Sequence, residues 1–230
     1  MPILIGIDEA GFGPNLGPLV ITATVWEYAG DYRAELLWDA LSDSISQAGT
    51  GIGDTIHVAD SKQVHQSSKG IGPLEHSVKV LLETYGIELT DWSSLCQLLD
   101  PNWKQSTGEP WFDAANLELP LSETLTEVAL ADRVKDSYHS ASLELKAIRS
   151  RIVTSREFNA CIEQWDSKSV LLSRLSLQLL DGLWDGSQPT LVVCDKHGAR
   201  NRYDDLIDEI CDGEFIFRPV SYTHLRAHET

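Results

Sequence analysis

The sequence predicts a mixed α/β domain, and three observations carry that expectation. Apolar runs of strand length recur at Ile3–Ile7, Leu19–Trp26 and Thr190–Cys194, each bounded by proline or a carboxylate. Between them, leucines repeat at helical spacing, as at Leu37 and Leu41 with Ile45, and again at Leu172, Leu175, Leu179 and Leu183. The chain of 230 residues is long enough for one such domain, with room for an inserted segment.

Ile3–Ile7 reads as a buried strand that ends in two carboxylates, Asp8 and Glu9. Successive strand side chains point to opposite faces. The pair can share one site only if the backbone leaves strand geometry there, and Ala10-Gly11 is expected to let it do so. Gly11, Gly13, Pro14, Gly17 and Pro18 then punctuate a loop before the second strand, Leu19–Trp26. Ala34–Ile45 is expected as a short amphipathic helix, followed by the tripeptide Asp60-Ser61-Lys62. Pro73–Tyr85 reads as a helix with Val78, Leu81 and Leu82 on its buried side, stopped by Gly86.

From about residue 87 to 145 the pattern is irregular. Trp92, Trp103 and Trp111 fall among Pro101, Pro110 and Pro120, which suggests loops and short helices packed by aromatics; Leu121–Leu145 reads as helical. The third strand lies within Leu145–Val153, and Thr154-Ser155-Arg156-Glu157 is a capping box for the next helix. The leucine stripe from Leu172 to Leu183 follows, with Asp166, Lys168 and Arg174 as its solvated face.

Thr190–Cys194 is expected as a buried strand ending in a third carboxylate, Asp195. Lys196, Arg200 and Arg202 make the densest basic cluster in the chain. They are either a solvated loop or a phosphate contact. His197 among them reads as a loop residue that could assist proton transfer. Asp204–Ile210 starts a helix and Phe215–Phe217 a strand.

Net charge is −17, which argues against a protein that grips nucleic acid mainly through phosphate contacts. No apolar run has the length to span a bilayer, and the N-terminus lacks a signal-type core. Cys96, Cys161, Cys194 and Cys211 include no Cys-x-x-Cys pair, so they are expected as small core residues of a cytoplasmic protein.

Gly6-Ile7-Asp8-Glu9-Ala10-Gly11, Gly13-Pro14 and Gly17-Pro18 together resemble the opening signature of ribonuclease HII, the type 2 ribonuclease H family. Asp60-Ser61-Lys62 stands where that family carries the same tripeptide, and Asp195 where it places its third acid, at the end of the strand paired with the first. Phe12 departs from the pattern, which has arginine between the two glycines, and Lys196-His197 replaces the usual Gly-Asn. The resemblance covers roughly residues 3–85 and 145–217, leaving the middle as an insertion.

It implies a ribonuclease H-like mixed five-stranded sheet with flanking helices. It also implies Mg²⁺- or Mn²⁺-dependent hydrolysis of the RNA strand of an RNA–DNA hybrid, or of a DNA duplex with an embedded ribonucleotide, by a monomer. Asp8, Glu9 and Asp195 are then the metal ligands and catalytic acids, which suits hard, oxygen-seeking cations. Gly11, Phe12 and Gly13 lie where the family reads the ribose 2′-hydroxyl. Lys62, Lys196, Arg200 and Arg202 are the remaining substrate-contact candidates. A non-catalytic nucleic-acid-binding relative is the alternative, favoured by Phe12 and by the acidity. An actin-like ATPase or sugar kinase ranks lower, because Glu9 and Pro14 occupy the place of its phosphate loop.

Val220–Thr230 reads as a translated sequencing adapter, so residues 1–219 are expected as the natural domain and 220–230 as a scar. The family's fourth acid is an aspartate on a helix beyond the fifth strand. Native sequence is expected to stop at about Pro219, before that helix. The chain as given is therefore expected to be inactive or nearly so.

Overall fold

The computed structural model describes residues 1–11, 17–30, 34–47, 55–64, 70–104, 107–113, 117–122, 128–198 and 202–211. Phe12, Gly13, Arg200, the expected strand at Phe215–Phe217 and the tail at 220–230 lie outside them. In chain order the elements are β1 (Ile3–Ala10), β2 (Leu19–Tyr28), α1 (Ala34–Leu41), β3 (Ile45–Ser46), β4 (Ile56–His57), α2 (Ser61–Val64) and α3 (Gly72–Thr84). There follow α4 (Trp92–Leu99), α5 (Pro110–Asp113), α6 (Val128–Ser140), β5 (Leu143–Val153), α7 (Ser155–Trp165), α8 (Lys168–Asp181), β6 (Thr190–Cys194) and α9 (Asp204–Ile210).

Strand alternation builds the main sheet. Leu19, Ile21, Ala23 and Val25 of β2 are buried on one face, level with Ile5 and Ile7 of β1. Among the described residues the strand order is β5-β2-β1-β6, with β2 antiparallel to both neighbours and β6 parallel to β1. The sheet is therefore mixed. Phe158 of α7, Leu171, Leu172 and Leu175 of α8 and Leu206 of α9 close the core over this face. Each such apolar side chain contributes about 1.5–3 kcal/mol on burial.

A second core forms on the opposite face, at the far end of β2. Trp26 and Tyr28 pack there with Leu41 of α1, Val80 of α3, Leu130 and Val134 of α6 and Leu143 of β5. The Trp26 ring meets Tyr138 edge-on at 5.2 Å between centroids. The irregular middle of the chain thus supplies α6 to a core shared with α1 and α3. No helix among the described residues is long and apolar enough to cross a membrane.

Several local expectations are corrected. The first helix stops at Leu41 rather than Ile45, because Ser42 donates from both its backbone N–H and its hydroxyl to the Asp39 carbonyl. Ile45 instead starts β3, which pairs in parallel with β4. Helix α3 turns Val78 outward, 47% exposed, and buries Val80 and Leu82. Polar contacts set that rotation: Glu75, His76 and Ser77 are buried, and the Ser77 hydroxyl bridges the His57 N–H and carbonyl at 3.2 and 3.0 Å. Among the described residues of the stretch from Leu121 to Leu145, helix covers Val128–Ser140 and Leu143 already begins β5.

Thr154 accepts from the Glu157 N–H at 3.3 Å, as a cap should. The Glu157 carboxylate does not close the box; it pairs with Arg151. Asp166 and Lys168 are exposed, as expected of a solvated face, whereas Arg174 is half-buried. Asp166 caps α7 in the left-handed region (φ 49°), and Lys168 lies 5.7 Å from the Phe158 ring centroid. Arg174 stacks at 5.6 Å on Trp165 while gripping Glu209 with two 2.8 Å bonds. Strand β6 forms, but Leu191, Val192 and Val193 are 37–43% exposed, because among the described residues it is the sheet's edge. Cys194, at its end, is exposed, whereas Cys96 and Cys211 are buried.

Two buried carboxylates tie the middle segment to this frame. Asp100, 1% exposed, accepts from the Ile152 N–H at 2.8 Å and the Asn102 N–H at 2.9 Å, with the Arg151 guanidinium at 3.5 Å. Glu75 accepts from the N–H groups of Leu121 and Ser122 and from the Ser122 hydroxyl. Desolvation works to raise the Glu75 pKa, but the Ser122 hydroxyl, those two N–H groups and Lys79 outweigh it and hold it below 4.5. A lowered carboxylate pKa stabilises the fold above 4.5 and loses that contribution as pH falls through the folded value. Glu75→Gln is therefore expected to speed amide exchange at Leu121 and Ser122 at pH 7. The difference from the parent should shrink in acid. Unchanged exchange at both amides would show that Glu75 does not hold this segment.

Candidate functional site

β1 is the central strand here, with β2 on one side and β6 on the other. The parallel ladder runs from Ile3↔Thr190 to Ile7↔Cys194, so Asp8 and Asp195 are the next residues at the same edge of the sheet. They lie 187 positions apart in the chain and come side by side where the β1–β6 ladder ends. That edge also carries the start of β2 and the end of β5, since Leu19 pairs with Val153.

The expected departure from strand geometry at Asp8-Glu9 does not occur. β1 stays paired with β2 through Glu9↔Ile21 and Ala10↔Val20, so Asp8 and Glu9 point to opposite faces. The ladder holds the backbone extended, and the turn begins only at Gly11. There φ is +78°, and a Cβ would lie 2.5 Å from the Pro18 carbonyl oxygen. Glycine is obligatory at that position because the return strand approaches so closely.

Asp8 is exposed, and its Oδ1 accepts from the Glu9 N–H at 2.8 Å. Across its face of the sheet stand Thr22 and Ser150, paired in register with it, their hydroxyls 2.9 Å apart. Sequence reasoning missed both. The available signal was a hydroxyl residue on the solvent phase of β2's alternation, between buried Ile21 and Ala23.

Glu9 lies on the helix-covered face, in phase with Ile5 and Ile7. Desolvation raises its pKa above 4.5, and the charges of Asp8 and then Asp195 raise it further, against a smaller lowering by its own N–H. The Cys194 thiol is likewise pushed up, by desolvation first and then by Asp195 and Glu9. These mutual effects place Glu9, Asp195 and Cys194 in one electrostatic neighbourhood, with Asp8 acting on Glu9 from the preceding position.

Lys196, next in sequence to Asp195, and Arg202 are exposed, and Lys62 lies in α2. His197 is not an open loop residue. It is 4% exposed, its Nδ1 lies 3.2 Å from the Ser173 hydroxyl, and its N–H donates to the Tyr203 hydroxyl at 2.9 Å. Proton transfer to a solvent-borne substrate is closed to a ring held in this way.

Among the described residues no group of three His, Cys, Asp or Glu side chains is arranged to hold a metal ion. The donor chemistry at this edge nevertheless fits a hard divalent cation. Three carboxylates supply oxygen only, and desolvation, followed by the charges of Asp8 and Asp195, penalises ionised Glu9, a cost that a cation would offset. Comparison of the chain with protein-family models, curated proteins and solved structures finds no match.

Proposed function

We propose that this protein hydrolyses the RNA strand of RNA–DNA hybrids, using Asp8, Glu9 and Asp195 to hold Mg²⁺ or Mn²⁺. The observation that carries the reading is the register that brings Asp8, Glu9 and Asp195 to the shared edge of β1 and β6. Carboxylates gathered at one sheet edge repel one another and favour a cation, and a phosphodiester substrate brings cations with it. The resemblance of residues 6–18 to the ribonuclease HII signature adds the substrate class. The mixed sheet with helices on both faces supports a ribonuclease H-like fold, whose five-stranded form requires one strand more than the four of the main sheet among the described residues.

In this reading the carboxylates orient the cation, which supplies an activated water and charge for the leaving oxygen. The Gly11 backbone, turned by Pro18, offers polar groups close to a ribose. Lys196 and Arg202 lie exposed where a phosphate backbone would pass.

One observation favours a second reading, a nucleic-acid-binding relative without catalysis: regular pairing through Ala10 sends Asp8 and Glu9 to opposite faces. A labelled hybrid and a duplex carrying a single ribonucleotide separate the two. Slow cleavage leaving 5′-phosphate and 3′-hydroxyl ends, abolished by EDTA, is expected. Retention of the hybrid with no cleavage in either metal would replace the first reading with the second.

A further inference from the structure

We propose that His197, with Ser173 and Tyr203, is a latch that positions Asp195 for cation binding; the inference rests on the reading of Asp8, Glu9 and Asp195 given above. Asp195 is the first residue beyond β6. The ladder to β1 holds the chain as far as Cys194 and no further. A ligand must keep its place to within about 0.5 Å, and groups behind the ligands usually provide that hold. Here the hold comes two residues later.

The Ser173 hydroxyl donates its one proton to the Ser169 carbonyl at 2.8 Å, so its oxygen faces His197 as an acceptor. The proton between them therefore sits on His197 Nδ1. The His197 N–H is held by the Tyr203 hydroxyl at 2.9 Å, and the two rings stand edge to face at 5.7 Å. Gly198 follows with φ +63°, so close to α8 that a Cβ would lie 3.1 Å from Ser169 Cβ. Helix α8 is itself anchored by Leu171, Leu172 and Leu175 in the main core. Only Asp195 and Lys196 thus lie between the β1 ladder and the latch. Nothing in this arrangement needs the imidazole to touch substrate; His197 is a positioning residue.

The test is Mn²⁺ affinity, read by electron paramagnetic resonance on the full chain at pH 7.5. His197→Ala and Tyr203→Phe are expected to weaken binding about tenfold or more, the usual cost of losing a group behind a metal ligand. His197→Asn is expected to bind as the parent does, because its amide nitrogen stands where Nδ1 stood. Thermal melts of each variant report whether it folds. Should His197→Ala fail to fold, Tyr203→Phe, which removes one oxygen, carries the test. In the metal-free protein, long-range ¹H–¹⁵N spectra should show the proton on Nδ1. A proton on Nε2 alone overturns the latch. So does unchanged Mn²⁺ affinity in all variants, which leaves the cation site standing, or equal losses in the Asn and Ala variants at equal melting temperature. A parent chain that binds no Mn²⁺ removes the cation reading, and the latch with it.

Discussion

Asp195→Asn is expected to lower the chain's slow hybrid cleavage by a further factor of about 10³, while slightly raising the melting temperature of the metal-free protein at pH 7. The first effect follows from removing one oxygen donor from a cation site, which costs several kcal/mol of transition-state stabilisation. The second follows from Glu9. Its pKa is raised by desolvation, then by Asp8 and Asp195, so its ionised form is penalised in the folded state. A raised carboxylate pKa means stability that is fully present below 4.5 and is lost as pH rises through the folded value. Removing the Asp195 charge returns part of that loss.

Because Glu9 is only partly buried, solvent screening keeps the gain below about 1 kcal/mol, roughly 2–4 °C. The gain should fade as pH falls toward 4.5 and Glu9 takes up its proton. Melting curves of the two proteins from pH 4 to 8 measure it. A variant less stable than the parent at pH 7 would mean that Asp195 serves the fold and is not held there against repulsion.

Asp100→Ala is expected to cost about 3 kcal/mol of stability, or roughly 6–12 °C in melting temperature. Asp100 is 1% exposed and accepts from the Ile152 and Asn102 N–H groups, with Arg151 at 3.5 Å. Alanine leaves the Ile152 N–H without an acceptor inside the protein and deprives Arg151 of one of its two carboxylate partners. It also detaches the α4 end from β5, one of the links between the middle segment and the sheet. Chemical denaturation of the variant measures the cost. A loss under about 1 kcal/mol would show that water replaces the carboxylate without difficulty.

Much of the local structure was legible in the residues. The alternation Leu19, Ile21, Ala23, Val25 required a strand with one buried face, and it is one. Thr154 capped the helix it was expected to cap. Gly86 ended its helix with φ +72°. Polar side chains that act across long stretches of chain were not legible. Val78 was expected inside and is outside, because Glu75 answers to Leu121 and Ser122, 46 and 47 positions away. Arg174 looked solvated because Glu209, its partner, lies 35 positions on.

The sequence by itself determined the strand and helix periods, the position of the glycine turn and the three carboxylates that end apolar runs. Each depends on side-chain spacing along a few residues or on what one residue's φ permits. The place of β6 beside β1 was implied by the resemblance, and the ladder bears it out; the tertiary structure alone decided that His197 is buried against α8. It also decided that Asp8 and Glu9 part to opposite faces. Ladder hydrogen bonds to β2 hold the backbone extended through Ala10, and those bonds depend on a partner strand rather than on the dipeptide.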